Sequence, residues 1–211
     1  MPTAIAPALQ PRKTPIQARS AASVDAILEA TIQVLVSVGK ERLTTTRVAA
    51  RAGVSVGTLY QYFPNKSALL KAALQQHMDR ISGAISQACH QYRSAPLVDM
   101  ASGLISAYLA SKLENVTESA ALYAVSSDID GAAISKATLA YCLQEVAAMF
   151  ATAKEGLSKD PEMVASVVLA ALNGVSRRIL EAKSPEREAE RLRGELVVLV
   201  HGYLQSCARQ V

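Results

Sequence analysis

The stretch Thr44-Thr45-Thr46-Arg47-Val48-Ala49-Ala50-Arg51-Ala52-Gly53-Val54-Ser55-Val56-Gly57-Thr58-Leu59-Tyr60-Gln61-Tyr62-Phe63 decides the fold. It reads as two short helices, Thr45 to Ala52 and a second ending at Phe63, that meet at a tight turn centred on Gly53, as in a helix-turn-helix. The turn needs a backbone conformation that costs glycine little, and Ser55 is placed to cap the second helix. Val48, Ala52, Val54, Leu59 and Phe63 fall where they close a small core, with Ala49 small at the helix crossing. In that geometry the second helix turns Val56, Gly57, Thr58, Gln61 and Tyr62 outward, as a helix entering a DNA major groove must.

The flanking sequence extends the helical pattern in both directions. From Ser20 to Gly39 the apolar residues Val24, Ile27, Leu28, Leu35 and Val38 recur at helical spacing, and Gly39 is a natural stop. Asn65 is placed to cap a longer helix from Lys66 to about Tyr92. Pro96 opens a helix with Leu97, Met100, Leu104, Tyr108 and Leu113 on one side. A helix over about Thr117–Ser126 precedes a break at Asp128-Ile129-Asp130-Gly131, and another runs to about Ala153. Asp160-Pro161 and Ser184-Pro185 each pair a capping residue with proline at the first helical position, opening helices at about 161–183 and 185–207. Leu196–Val200 has strand propensity but lies inside a helical pattern with no turn signals around it. The expectation is an all-α chain of about nine helices without internal repeats.

Composition agrees. Of 211 residues, 37 are Ala and none is Trp, while Gly and Pro together number only 18, a balance that favours helix. No unbroken apolar run approaches the ~18 residues of a membrane span; the densest, Val167 to Leu172, is six long. Residues 1–20 lack a charged start followed by an apolar stretch, so no secretory signal and no membrane partner are expected. Cys89, Cys142 and Cys207 are odd in number and far apart, which reads as reduced thiols in a cytoplasmic protein and not as a disulfide or zinc framework. The net charge of +4 is uneven: residues 1–75 carry nine Lys and Arg against three acids, a balance of +6, and residues 76–211 carry −2. Such asymmetry suggests an anionic partner for the basic part, although surface solubility explains an excess of this size equally well.

Read from Thr45 to Leu69, the pattern Thr-Thr-x-x-Val-Ala-x-x-Ala-Gly-Val-Ser-x-Gly-Thr-Leu-Tyr-x-Tyr-Phe-x-x-Lys-x-x-Leu closely resembles the DNA-binding domain of the TetR family of bacterial transcriptional regulators. The stretches Gln17–Ser20 and Val24–Ala30 resemble that family's first helix. Residues 1–11, with Pro2, Pro7 and Pro11, have no helical or strand period and read as a mobile leader, and the resemblance implies a helix-turn-helix domain at 12–75 and a helical regulatory and dimerisation domain at 76–211. It also implies that Thr45, Thr46, Tyr60, Tyr62 and Lys66 contact double-stranded DNA, largely its phosphates. Phosphate contacts set position and base-edge contacts set sequence preference. Gln61 is the candidate for base readout because an amide bonds adenine bidentately, Val56 and the Thr58 methyl can meet thymine methyls, and Gly57 allows close approach. Tyr60 and Tyr62 can equally be core. Lys66 opens a helix, where the dipole disfavours a cation, which points to a phosphate clamp over a stabilising role. Arg12, Lys13 and Arg19 read either as a minor-groove arm or as a solvated tail.

The resemblance further implies a homodimer through the last two helices, about 161–183 and 185–207, and an unknown small-molecule effector that releases a repressor from its operator. Ala165, Leu169, Leu172 and Gly174 with Leu196, Leu199, Val200 and Tyr203 are candidate dimer contacts, and the same stripes suit the chain's own core. Tyr108, Tyr123, Tyr141, Met149, Phe150 and Asn173 are candidate pocket residues, chosen as bulky or polar groups on apolar helices. No cofactor, metal site or catalytic residue is expected. Ser37-Val38-Gly39-Lys40 matches S-x-x-K without its companion motifs, and Asp128-x-Asp130-Gly131 lacks the rest of a calcium loop. Cys89 and His90 are neighbours pointing to different faces of a helix, and His77 and His201 have no evident partners. The alternative reading is an all-helical small-molecule binder or bundle enzyme with a vestigial DNA-binding domain.

Overall fold

The computed structural model describes residues 14–129 and 131–209, with side chains from Ala21 onward. The leader at 1–11, Arg12, Lys13 and the side chain of Arg19 lie outside the described residues. Nine α-helices occur among the described residues: α1 (Thr14–Arg42), α2 (Thr45–Ala52), α3 (Val56–Tyr62), α4 (Lys66–Gln91), α5 (Leu97–Leu113), α6 (Val116–Val125), α7 (Gly131–Phe150), α8 (Pro161–Leu180) and α9 (Pro185–Cys207). A short 3-10 turn, Ser126–Asp128, follows α6. Gly39 does not end α1; it kinks it, with φ at 75° in the left-handed region that glycine alone enters cheaply, and one more turn follows. Leu196–Val200 is helical, inside α9.

Capping chemistry fixes the helix starts. Thr44, Ser55, Asn65 and Asn115 accept hydrogen bonds from the backbone N–H three residues on, and Asp160 does the same for Met163. Ser184 makes no such bond, so Pro185 alone preorganises the start of α9.

The apolar residues form two large clusters. One joins Ile27, Leu28 and Leu35 of α1 to Val48, Leu59, Leu69 and Leu70. The other joins Ile81, Ile85, Leu104, Val146, Phe150, Leu172 and Leu196. Helix α4 passes through residue 75 without interruption and supplies side chains to both. Leu122, Val125, Ile129 and Ile134, all from the C-terminal part, complete the first cluster.

Two stretches, Ala21–Arg42 and Pro161–Leu180, are long and apolar enough by length and composition to cross a membrane. Their mean hydropathies are 1.5 and 1.4, a property that a search for unbroken apolar runs misses. In each, part of the apolar surface faces the core. In α8 the remainder, Met163 and Val167, is exposed.

Cys89, Cys142 and Cys207 are buried free thiols. Burial is the main cause that pushes the Cys89 thiol up to about 12 and the Cys142 thiol to about 11, which keeps both protonated. Asp128 pairs with Lys40 at 2.5 Å and so ties the turn after α6 to the end of α1.

Candidate nucleic-acid interface and internal cavity

The turn between α2 and α3 is built by the backbone. Gly53 sits at φ 68°, ψ 27°, and its N–H donates to the Ala50 carbonyl at 3.3 Å, while the Val54 N–H reaches the Ala49 carbonyl at 3.0 Å. This closes α2 as a left-handed glycine cap closes helices generally. Ser55 Oγ then accepts from the Thr58 N–H at 2.9 Å and lies 2.8 Å from Thr58 Oγ1, so the serine and threonine together shape the start of α3. Val48, Ala49 and Leu59 are fully buried between the helices, with Phe63 beneath and Ala52 and Val54 packed at the edge.

Of the residues expected to face outward, Val56, Gly57 and Gln61 do so and form one exposed row. Thr58 and Tyr62 are half-buried: the Thr58 hydroxyl lies beside Ser55 Oγ, and Tyr62 packs against the N-terminal cluster. Tyr60 is 50% exposed, and its hydroxyl lies 3.1 Å from Thr45 Oγ1, linking the two helices at the surface. Thr46 is exposed beside this pair.

Lys66 has a use that its position in the sequence does not reveal. Its Nζ donates to the Lys40 carbonyl at 2.9 Å. The cation thus sits against the carbonyl end of α1, where a positive charge is favoured, although it opens α4, where one is not. One of its three N–H groups is committed to this bond. Arg51 is likewise held, by Gln33 at 2.6 Å.

Helices α4 to α8 line a cavity of about 470 Å³ that opens to the surface, where Tyr123, Leu139 and Asn173 are exposed. Tyr108, Tyr123 and Asn173 line it, and the Tyr108 hydroxyl donates to Asn173 Oδ1 at 2.9 Å. Burial pushes the Tyr108 hydroxyl up to about 12, so it remains a donor at neutral pH. Tyr141, Met149 and Phe150 do not line it. Met149 and Phe150 are fully buried in the C-terminal core. Tyr141 is turned to the surface, where its hydroxyl donates to Ser86 Oγ at 3.3 Å, while its neighbour Cys142 faces the cavity.

Lys112, Ser119 and Ser176 also line the cavity, and the sequence alone does not single them out. A signal for Lys112 exists: it follows Tyr108 by four positions and so continues the stripe Leu104–Tyr108 with a charge. In the cavity wall His77 lies 3.3 Å from Ser119 Oγ and, behind it, 3.4 Å from Glu118 Oε1, and Arg80 also binds Glu118. These contacts, the His77 hydrogen bond foremost and then Arg80, hold the Glu118 carboxyl below its ordinary range against the opposing effect of burial.

On the outside, Ala165, Leu169, Leu172, Leu196 and Val200 prove to be intrachain core, because α8 and α9 turn those stripes toward α5 and α7. Gly174 and Leu199 point outward, and Tyr203 is half-buried under the Lys159 ammonium at 5.4 Å. The exposed apolar face consists instead of Met163 and Val167 on α8 with Val198 and Leu199 on α9, the last two 69% and 56% exposed.

The sequence profile described as "Bacterial regulatory proteins, tetR family" matches residues 27–73. The profile described as "Tetracyclin repressor-like, C-terminal domain" matches residues 96–204, more than half of the chain. The chain belongs to the TetR family. Over 62 residues this TetR-family chain is 44% identical to the HTH-type transcriptional repressor KstR of Mycolicibacterium smegmatis, a match covering 29% of this chain and 30% of KstR. It is 39% identical over 62 residues to the nucleoid occlusion factor SlmA of Photobacterium profundum, covering 29% of this chain and 32% of that one. The matched stretch therefore spans under a third of those relatives' lengths. Likeness across the whole chain is one of fold. A TetR-family regulator from Mesorhizobium loti superimposes with a TM-score of 0.74 at 20% identity, covering 90% of this chain and 99% of that one. SmeT, the repressor of the Stenotrophomonas maltophilia multidrug efflux pump SmeDEF, does so at 0.67 and 19% identity, covering 89% and 91%.

Proposed function

We propose that this chain is a DNA-binding transcriptional repressor that holds a double-stranded operator as a homodimer and releases it when a small molecule enters the cavity between α4 and α8. The observation that carries the reading is the exposed row Val56, Gly57 and Gln61 on a helix fixed at its start by Ser55 and anchored below by Leu59. An uncharged row of this kind suits base edges, with Gln61 reading adenine. Thr45, Thr46, Tyr60, Tyr62 and Lys66, with Thr58 at the start of α3, then set the position of the helix on the phosphates. The repressor role extends to this chain what the names of KstR and SmeT state of those proteins.

One such unit has little contact area, so two recognition helices about 34 Å apart on a near-palindromic site are the physical expectation. The exposed face of Met163, Val167, Val198 and Leu199 is the proposed dimer contact, with Gly174 and Gly202 letting the backbones approach. The division of labour is residues 12–75 for DNA and 76–211 for regulation and pairing, in the cytoplasm and without catalysis. Leu74 and Leu122 both line the cavity and pack into the N-terminal core, so a ligand that displaces them moves the seat of α2 and α3. A ligand preferring one arrangement by about 1–3 kcal/mol changes DNA affinity about 5–150-fold.

The test is selection of DNA from a random pool by the purified protein, repeated across a panel of metabolites. A single enriched near-palindrome, lost with Gln61→Ala and released by one class of metabolite, supports the reading. Sequence-independent binding or none defeats it and favours a small-molecule binder with a vestigial DNA domain.

A further inference from the structure

The charged side chains that line the cavity are of one sign only. Its apolar wall comprises Ile81, Ile85, Leu122, Leu139 and Leu169. At its polar part Tyr108, Lys112 and Ser119 are contiguous: Lys112 stands one turn beyond Tyr108 on α5, and Ser119 Oγ donates to the Lys112 carbonyl at 2.8 Å. Among the described residues no carboxylate lines the cavity, whereas Lys112, Lys136 and Arg177 all do. Arg177 is already bound to Glu181 at 2.9 Å, and His77 faces Glu118, which lies outside this cavity.

Lys112 is different from these. Among the described residues no carboxylate acts on its ammonium; burial lowers its pKa, and the opposing influence there is the Cys142 thiol, which is itself held protonated. A half-buried cation without a counter-ion costs free energy that an incoming anion recovers. A neutral apolar guest would dry the ammonium further and leave it unpaired, and a cationic guest would be repelled. The volume is within the range of pockets that take small organic molecules.

We propose, resting on the effector reading above, that the ligand is an amphipathic carboxylate whose apolar body lies along α4 and α7 and whose carboxylate pairs with Lys112, beside the Ser119 and Tyr108 hydroxyls, whose hydrogens are already given to the Lys112 carbonyl and to Asn173. Decanoate and 4-phenylbutyrate, each compared with its matching alcohol, test the charge preference by calorimetry on the full chain without DNA. We expect each carboxylate to bind at least about tenfold more tightly than its alcohol, the worth of one charge-assisted hydrogen bond. Lys112→Met, checked for an unchanged thermal melt, should abolish that preference and leave the alcohols unaffected, and Lys112→Arg should restore it. Alcohols that match the carboxylates, no binding by either carboxylate, or a preference that survives Lys112→Met each overturn the assignment. Release of operator DNA is read separately. A carboxylate that binds through Lys112 yet leaves the protein on its operator upholds the assignment and defeats the release mechanism.

Discussion

Residues 44–66 take their turns and helix starts from contacts three or four positions apart, whereas the cavity is assembled by contacts spanning dozens. Thr44 to Arg47, Ser55 to Thr58 and Asn65 to Ala68 are each a side chain accepting from the backbone three residues on. Tyr108 and Asn173, which meet in the cavity, are 65 positions apart, and Ser86 and Glu145, which join α4 to α7, are 59 apart. The first kind of structure is a sum of small, separable terms, so it tolerates partial damage. The second is a shared packing problem in which one missing side chain is felt by several helices.

That difference predicts where substitutions hurt most. Phe150 is fully buried where α7 meets the C-terminal core, and Phe150→Ala should cost about 3–5 kcal/mol, a fall of roughly 6–20 °C in melting temperature. A small loss of stability combined with altered ligand binding would instead return Phe150 to the cavity wall. At the turn between α2 and α3 the expected cost is smaller, because it comes from backbone shape and not from packing. Gly53→Val forces a β-branched residue to φ 68° and should cost about 1–3 kcal/mol, although nothing lies within 4 Å of the new Cβ. Gly53→Asn, which tolerates the left-handed region, should retain most of the stability. Equal costs for valine and asparagine in thermal melts would mean that backbone shape does not govern the turn.

The same contrast explains what the sequence revealed. Caps, the Gly53 turn and the proline starts are local signals, and the nine helices follow from them with boundary errors of a few residues, as at Gly39 and at the end of α8. Which face of a helix looks inward depends on where its neighbours stand. Around α7 a step of one residue separates Tyr141, on the surface, from Cys142, in the cavity. On α8 and α9 the same periodicity suited core and dimer face alike, and only packing against α5 and α7 assigned Leu169 and Leu196 to the core. Lys66 illustrates the point within the local unit: its helix position was legible, but the end of α1 lying beside it was not.

A test between the two regions comes from Glu118, which ties α6 to His77 and Arg80 on α4. His77 and Arg80 hold its carboxyl below the ordinary range, so the folded state favours the ionised form. The resulting stabilisation is complete above the unfolded glutamate pKa of about 4.3 and is lost as pH falls through the lower folded value. Glu118→Gln should therefore cost about 1–2 kcal/mol near neutral pH, discounted because Arg80 is largely exposed. The gap between the two melting temperatures should close as pH falls below about 4. A gap independent of pH would show that the tie acts through shape and not through charge.

A small effect on stability is expected at Lys66, which also bears most directly on how the N-terminal unit meets DNA. Its ammonium bond to the Lys40 carbonyl joins the end of α1 to the start of α4, so Lys66→Ala should cost about 1 kcal/mol, or roughly 2–4 °C. Capping α1 uses one N–H and leaves two that can reach a phosphate. Once the alanine variant removes that ammonium, affinity should fall alike for all sequences, and the dependence of log K on log salt should become shallower by about one unit. Gln61→Ala, exposed and clear of the core, should do the reverse, changing base preference while leaving the salt slope and melting temperature where they were. If Lys66→Ala lowers the melting temperature but leaves the slope intact, the ammonium is a cap and nothing more, and the phosphate contact must be sought among Thr45, Thr46 and Tyr60.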